Sequence, residues 1–252
     1  MAFTSLQLEI CRIISRRLRE SGESYVAGGS ALNAATLGTR ISRDIDLFHD
    51  TAQAVESSWA DDRNSLSGNG LTFEILRDLP GFKEALISRG SERALVQWTR
   101  DSAFRFFPLV EDRQLGLTLH PFDLATNKVL AMAGRLEPRD WVDVLECHEK
   151  IQPFGYLVWA ACAKDPGFNP ISLLSEARRS GRYTQQELDE LSFAGPVPDA
   201  RQLGSRWHEI LREGEAYCEI LEGCEVGVCA LEVTGLLCRR LPGGLKSALL
   251  QN

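Results

Sequence analysis

The stretch SYVAGGSALNAATLGTRISRDIDLF, residues 24–48, limits the possible folds of this chain more than any other. Its start is a short apolar run broken by Gly-Gly, which suits a strand entering a tight turn. Ser30 then stands as an N-cap for a short Ala- and Leu-rich helix that stops at Gly38. DIDLF alternates polar and apolar residues, the signature of a strand with one buried face. Asp44 and Asp46 therefore project from the same side, about 7 Å apart by strand rise. The order is strand, small-residue turn, helix, turn, and a strand carrying two carboxylates.

Two carboxylates this close repel unless a cation lies among them. Mg²⁺ suits the role because it takes oxygen ligands and completes its shell with water and phosphate. A pair of such ions can activate a hydroxyl and stabilise a leaving phosphate. Glycines let a ligand approach the backbone closely, and a helix N-terminus attracts an anion. Separately, Asp-x-Asp also describes a solvated strand edge and Gly-Gly-Ser a common turn. Joined, they bring a phosphate cradle beside a metal-binding pair, an arrangement suited to phosphoryl or nucleotidyl transfer.

The remaining sequence supplies the setting. A chain of 252 residues, 44% of them hydrophobic, has material for a sizeable core. Residues 4–22 predict an amphipathic helix rather than a signal peptide, and no apolar run is long enough to span a bilayer. The expectation is a cytoplasmic protein without a membrane partner. A net charge of −7 argues against broad coating of nucleic acid, although EARRSGRY (176–183) and LCRRLPGGLK (237–246) offer local positive surface. Seven scattered cysteines without a C-x-x-C pattern point to reduced thiols rather than to disulfides or zinc. Residues 53–70 predict a helix and loop, and residues 71–104 two further strands around a turn. A short strand near 117 precedes two helices, one starting near Pro121-Phe122-Asp123 and one after Glu137-Pro138. Beyond 153 the pattern is mainly helical, with residues 195–201 as the best linker candidate. The fold class is α+β: a nucleotidyl-transfer core over 1–120 and a mainly helical lobe over 121–252.

GGSALN…RISRDIDLF resembles the first motif of the nucleotidyltransferase superfamily, specifically its AbiEii-like branch of type IV toxin–antitoxin nucleotidyltransferases. HPFDLATNKVLAMAGRLEPRDWVDV (120–144) resembles the later motif of that family. The resemblance covers about residues 20–150 and implies a nucleotidyltransferase-type mixed sheet flanked by helices. It implies that Gly29 and Ser30 hold the triphosphate of an NTP and that Asp44 and Asp46 bind the catalytic Mg²⁺. Lys128, from the helical lobe, contacts phosphate, and Asp143 is the remaining acid acting near it. Asp143 is preferred to Asp140, which shares its helix face. Ser42 is placed to touch nucleotide or metal-bound water, with Arg40, Arg43 and Arg139 as further phosphate or acceptor contacts. His49 and His120 receive no catalytic role.

A third carboxylate is expected on a strand after Asp-x-Asp. The matching strand carries Trp98 where an acid is wanted, which leaves Asp101, Glu74 or Asp143 as candidates. The implied function is Mg²⁺-dependent transfer of a nucleoside monophosphate from an NTP to RNA, tRNA in particular. The protein would be the toxin of a toxin–antitoxin pair, with an antitoxin protein as partner. Two other readings stay open: an NTP-binding interaction module that transfers nothing, and a nucleotidyltransferase acting on a small molecule such as an aminoglycoside.

Overall fold

The first helix, α1 (Ser5–Ser21), forms where Leu6, Ile10, Ile14 and Leu18 recur at helical spacing, and all four are buried. Thr4 and Gln7 close a reciprocal cap at its start: the Thr4 amide donates to the Gln7 side chain at 2.8 Å, and the Gln7 amide to the Thr4 hydroxyl at 3.2 Å. There follow β1 (Ser24–Ala27), α2 (Gly28–Thr36), β2 (Asp44–His49), α3 (Ala52–Gly68), β3 (Thr72–Leu79), β4 (Phe82–Arg89), β5 (Glu92–Arg100), β6 (Val110–Asp112) and β7 (Gly116–Thr118). The structure, a computed structural model, describes residues 3–42, 44–222 and 224–243. The chain divides into two units, Met1–His120 and Pro121–Asn252.

In the first unit all seven strands join one mixed sheet in the order β3-β4-β5-β2-β1-β7-β6. β2 is central: it pairs antiparallel with β1 and parallel with β5. Its alternation sorts the two faces. Ile45, Leu47 and His49 are buried, whereas Asp44, Asp46 and Phe48 are half-buried. The buried face takes α1 and α3, which also touch each other. Trp98, in register with Leu47, lies on that face and forms edge contacts with Trp59 of α3 at 5.0 Å. Its indole N–H donates to Asp62 at 2.8 Å, and Arg17 grips the same carboxylate with two bonds of 2.6 and 2.7 Å. Burial pushes the Asp62 carboxyl up, and the Arg17 guanidinium opposes this.

Three points depart from the sequence reading. Residues 71–104 hold three strands rather than two, because Pro80-Gly81 folds β3 and β4 into a hairpin. Helix α2 begins at Gly28, so Ser30 lies inside its first turn instead of capping it, and its C-cap is Leu37 in the left-handed region. Residues 195–199 are a loop within the second unit, not a boundary between units.

The second unit is helical among the described residues: α4 (Pro121–Arg135), α5 (Pro138–Lys150), α6 (Phe154–Ala161), α7 (Pro170–Ala177), α8 (Gln185–Asp189) and α9 (Ala200–Leu221). Helix α6 is buried at every position and packs against α9. That approach needs Gly155, since a Cβ there would run into the Tyr217 ring. Among the described residues no helix is long and apolar enough to cross a membrane.

Candidate nucleotide site

In the first unit the sheet register brings the two ends of the opening sequence segment together. Ala27, the last residue of β1, pairs with Asp46. The chain then turns into α2 through Gly28, whose φ is +65°, a region where an L side chain is strained. Space forbids a side chain there as well: a Cβ on Gly28 would occupy the position of the Asp46 carboxylate. A Cβ on Gly29 would lie 2.6 Å from the Arg40 guanidinium and 3.2 Å from the Ser42 hydroxyl. Ala27 makes no side-chain cap on α2. The first amides of the helix, which have no intrahelical acceptor, thus open beside Asp46, Arg40 and Ser42.

Each neighbour is held in place. The Ser30 hydroxyl donates to the Asp44 carbonyl and ties the first turn of α2 to the start of β2. The Gln7 side chain donates to the Ser42 carbonyl at 3.2 Å. Arg40 and Ser42 are buried, at 6% and 7% exposure. Gly29, Ser30, Ser42, Asp44 and Asp46 accordingly converge on the junction of β1, α2 and β2. Arg43 lies outside the described residues.

The donors here are carboxylates and a hydroxyl, all hard oxygen ligands, and the missing side chains at Gly28 and Gly29 let the Asp46 carboxylate and the Arg40 guanidinium approach the backbone closely. That set fits Mg²⁺, an ion that keeps few protein ligands and fills its shell with phosphate and water. Asp44 and Asp46 would hold it, and when bound it would neutralise developing charge on a phosphate. Among the described residues no group of three or more His, Cys, Asp or Glu side chains is placed to hold a metal. The sequence candidates for a third acid explain this. Glu74 is exposed on β3, three strands away from β2, or about 14 Å by inter-strand spacing. The Asp101 amide donates to the His49 carbonyl at 2.9 Å, at the far end of β2. Trp98 faces away, with Asp62.

In the second unit α4 and α5 present four charged groups to one another. Lys128 reaches Asp140 at 2.9 Å and Asp143 at 3.0 Å. Arg135 holds Asp140 through two bonds of 2.6 and 2.9 Å. Asp140, Asp143 and Lys128 are all buried. Burial alone would raise the Asp140 carboxyl, but Arg135 and Lys128 outweigh it and hold it below its ordinary value. The preference for Asp143 over Asp140 is thus not a distinction the structure makes; both clasp Lys128. Arg139 is half-buried with an unpartnered Nε. In the first unit His120 stacks on Phe107 at 4.2 Å, and His49 is buried with its Nε2 unpartnered.

The sequence reading did not single out Gly28 or Arg135. Two adjacent glycines where one suffices for a turn were the available signal for Gly28. Arg135 depends on the contact between α4 and α5, which one sequence does not display.

This arrangement is a nucleotidyltransferase-type fold: a mixed sheet flanked by helices, with a glycine turn facing an Asp-x-Asp strand. Solved structures bear this out. A Helicobacter pylori protein described as a candidate nucleotidyltransferase superposes with a TM-score of 0.58 at 14% identity, over 88% of this chain and 99% of that one. JHP933 from Helicobacter pylori gives 0.54 at 16% identity, over 88% and 99%. The nucleotidyltransferase toxin MenT4 of Mycobacterium tuberculosis H37Rv gives 0.51 at 15% identity, over 84% and 83%. No protein-family model matches the chain, and no curated protein sequence matches it.

Proposed function

We propose that this chain is a Mg²⁺-dependent nucleotidyltransferase that moves a nucleoside monophosphate from an NTP to RNA, with tRNA as the first acceptor class. One observation carries the reading: the side-chain-free start of α2 at Gly28-Gly29 opens against Asp46 on the Asp-x-Asp strand. The amides of that turn and Arg40 hold phosphate oxygens. Asp44 and Asp46 hold the cation, and Ser42 orients the nucleotide or bound water. A cytoplasmic location, a toxin role and an antitoxin partner belong to the same reading. The toxin role draws support from the fold likeness to MenT4, named as a nucleotidyltransferase toxin.

The test incubates the protein with each α-labelled NTP, Mg²⁺ and total RNA. Label is expected in RNA, abolished by EDTA and restored by added Mg²⁺. Loss of a group that merely supports a metal ligand costs roughly 10–100-fold. Asp44→Ala or Asp46→Ala should therefore lose at least about 100-fold while remaining folded. Undiminished transfer by a folded variant overturns the assignment. Saturable NTP binding without transfer would instead identify an interaction module, and label on an aminoglycoside a small-molecule enzyme.

A further inference from the structure

The sheet row that contains Asp46 continues outward through two more polar side chains. Asp46 pairs with Gln97 of β5, and Gln97 pairs with Glu84 of β4. Residues opposite one another in neighbouring strands share a face, so the three stand in line. Glu84 is 7% exposed. Its Oε1 accepts a 2.8 Å bond from the Gln97 amide nitrogen, and its Oε2 lies 3.4 Å from Arg77. A carboxylate only accepts, so this bond fixes which way the Gln97 amide faces. The NH₂ turns to Glu84, which leaves the carbonyl oxygen facing away from that carboxylate.

The other β5 residues on this face are Arg93, Leu95, in register with Asp44, and Thr99, in register with Phe48. The strand beside the aspartate pair therefore offers no acid, only a neutral oxygen held in place by an acid one strand further out. Two divalent ions about 4 Å apart repel strongly, and carboxylates around them offset that repulsion. Two aspartates and an amide offset less of it than three carboxylates.

We propose that Gln97, oriented by Glu84, is the third protein oxygen of the cation site at Asp44 and Asp46, and that the site takes one divalent ion per NTP rather than two. This rests on the placement of the cation at Asp44 and Asp46 in the proposed function.

The experiment counts Mn²⁺ bound in the presence of a non-hydrolysable NTP analogue, by electron paramagnetic resonance of the free ion. The wild type is expected to bind one Mn²⁺ per chain. Gln97→Leu should weaken that binding about tenfold or more, because affinity follows ligand number and charge. The decisive variant is the exchange Glu84→Gln with Gln97→Glu. It conserves net charge and the cross-strand hydrogen bond, so the fold is retained, but it moves the carboxylate one strand inward. It should tighten Mn²⁺ about tenfold and admit a second ion. Two ions on the wild type, or an exchange variant indistinguishable from it, overturns the inference. Asp46→Asn separates the two levels. If it loses Mn²⁺ while both Gln97 variants behave as wild type, the inference fails and the proposed function stands. If it keeps Mn²⁺, the cation placement itself fails.

Discussion

Gly28 concentrates two constraints on one residue. Its φ of +65° disfavours a side chain, and the Asp46 carboxylate occupies the place a side chain would take. Gly28→Ala is expected to cost about 1 kcal/mol through backbone strain and, by pushing Asp46 aside, to abolish nucleotide transfer. A thermal melt paired with the RNA-labelling assay checks this; a variant with full transfer would show that the close approach is incidental. The sequence pointed to the turn, since Gly-Gly-Ser before a helix has few other readings. It pointed to Gly29 and Ser30 rather than Gly28, because the sign of φ and the proximity of Asp46 arise only when β1 pairs with β2. Trp98 and Gln97 teach the same lesson. Side-chain direction in a strand has a period of two, so an error of one residue exchanges the faces. Trp98, where an acid was wanted, lies with Asp62 in the core, and Gln97 lies in the row of Asp46.

At the scale of elements, α4 and α5 are joined by a buried network in which Lys128 pairs with both Asp140 and Asp143. Removing one member of such a network strands its partners, at a cost of about 3–5 kcal/mol. Lys128→Met is expected to show that loss in urea unfolding, because Asp140 and Asp143 lose a shared cation. An unchanged midpoint would mean that the network carries little. Activity lost in this variant therefore has to be read against its stability. The two helices themselves were legible: Pro121 and Pro138 mark their starts, as the sequence predicted. The clasp was not, because Asp140 and Asp143 share a helix face and only the packing of α4 shows that both meet Lys128. The β3–β4 hairpin was hidden for a related reason. β3 is exposed over nearly its whole length and lacks the alternation that marks a half-buried strand.

At the scale of the molecule, acid should act in two stages. Burial, with Arg17 adding to it, pushes the His49 pKa down to about 4. His49 is therefore neutral in the folded chain at pH values where the unfolded chain binds a proton. Stability from this residue is complete above about pH 6.5 and falls as pH drops toward 4, by up to about 3 kcal/mol. His148, also pushed down to about 4 by burial, acts in the same direction. Asp140 has the opposite sign. Its carboxyl is held below its ordinary value, so its contribution survives to about pH 4 and is lost only below that. Unfolding free energies measured from pH 8 to 4 should decline below 6.5, and His49→Gln should flatten the decline. An identical pH profile in that variant would contradict the assignment. The α+β class and the strand–helix–strand order of the first unit could be read from the sequence because local periodicity encodes them. Strand order, register and the α6–α9 contact at Gly155 could not, since they depend on residues far apart in the chain.

In the proposed function, the start of α2 and the Asp-x-Asp strand form one site for a nucleoside triphosphate and its cation. The most direct measurement is a crystal structure of the chain with a non-hydrolysable NTP and Mg²⁺. Phosphate oxygens are expected at the amides of Gly28, Gly29 and Ser30, with the ion on Asp44 and Asp46. Ordered nucleotide elsewhere, with neither aspartate on the ion, would contradict it.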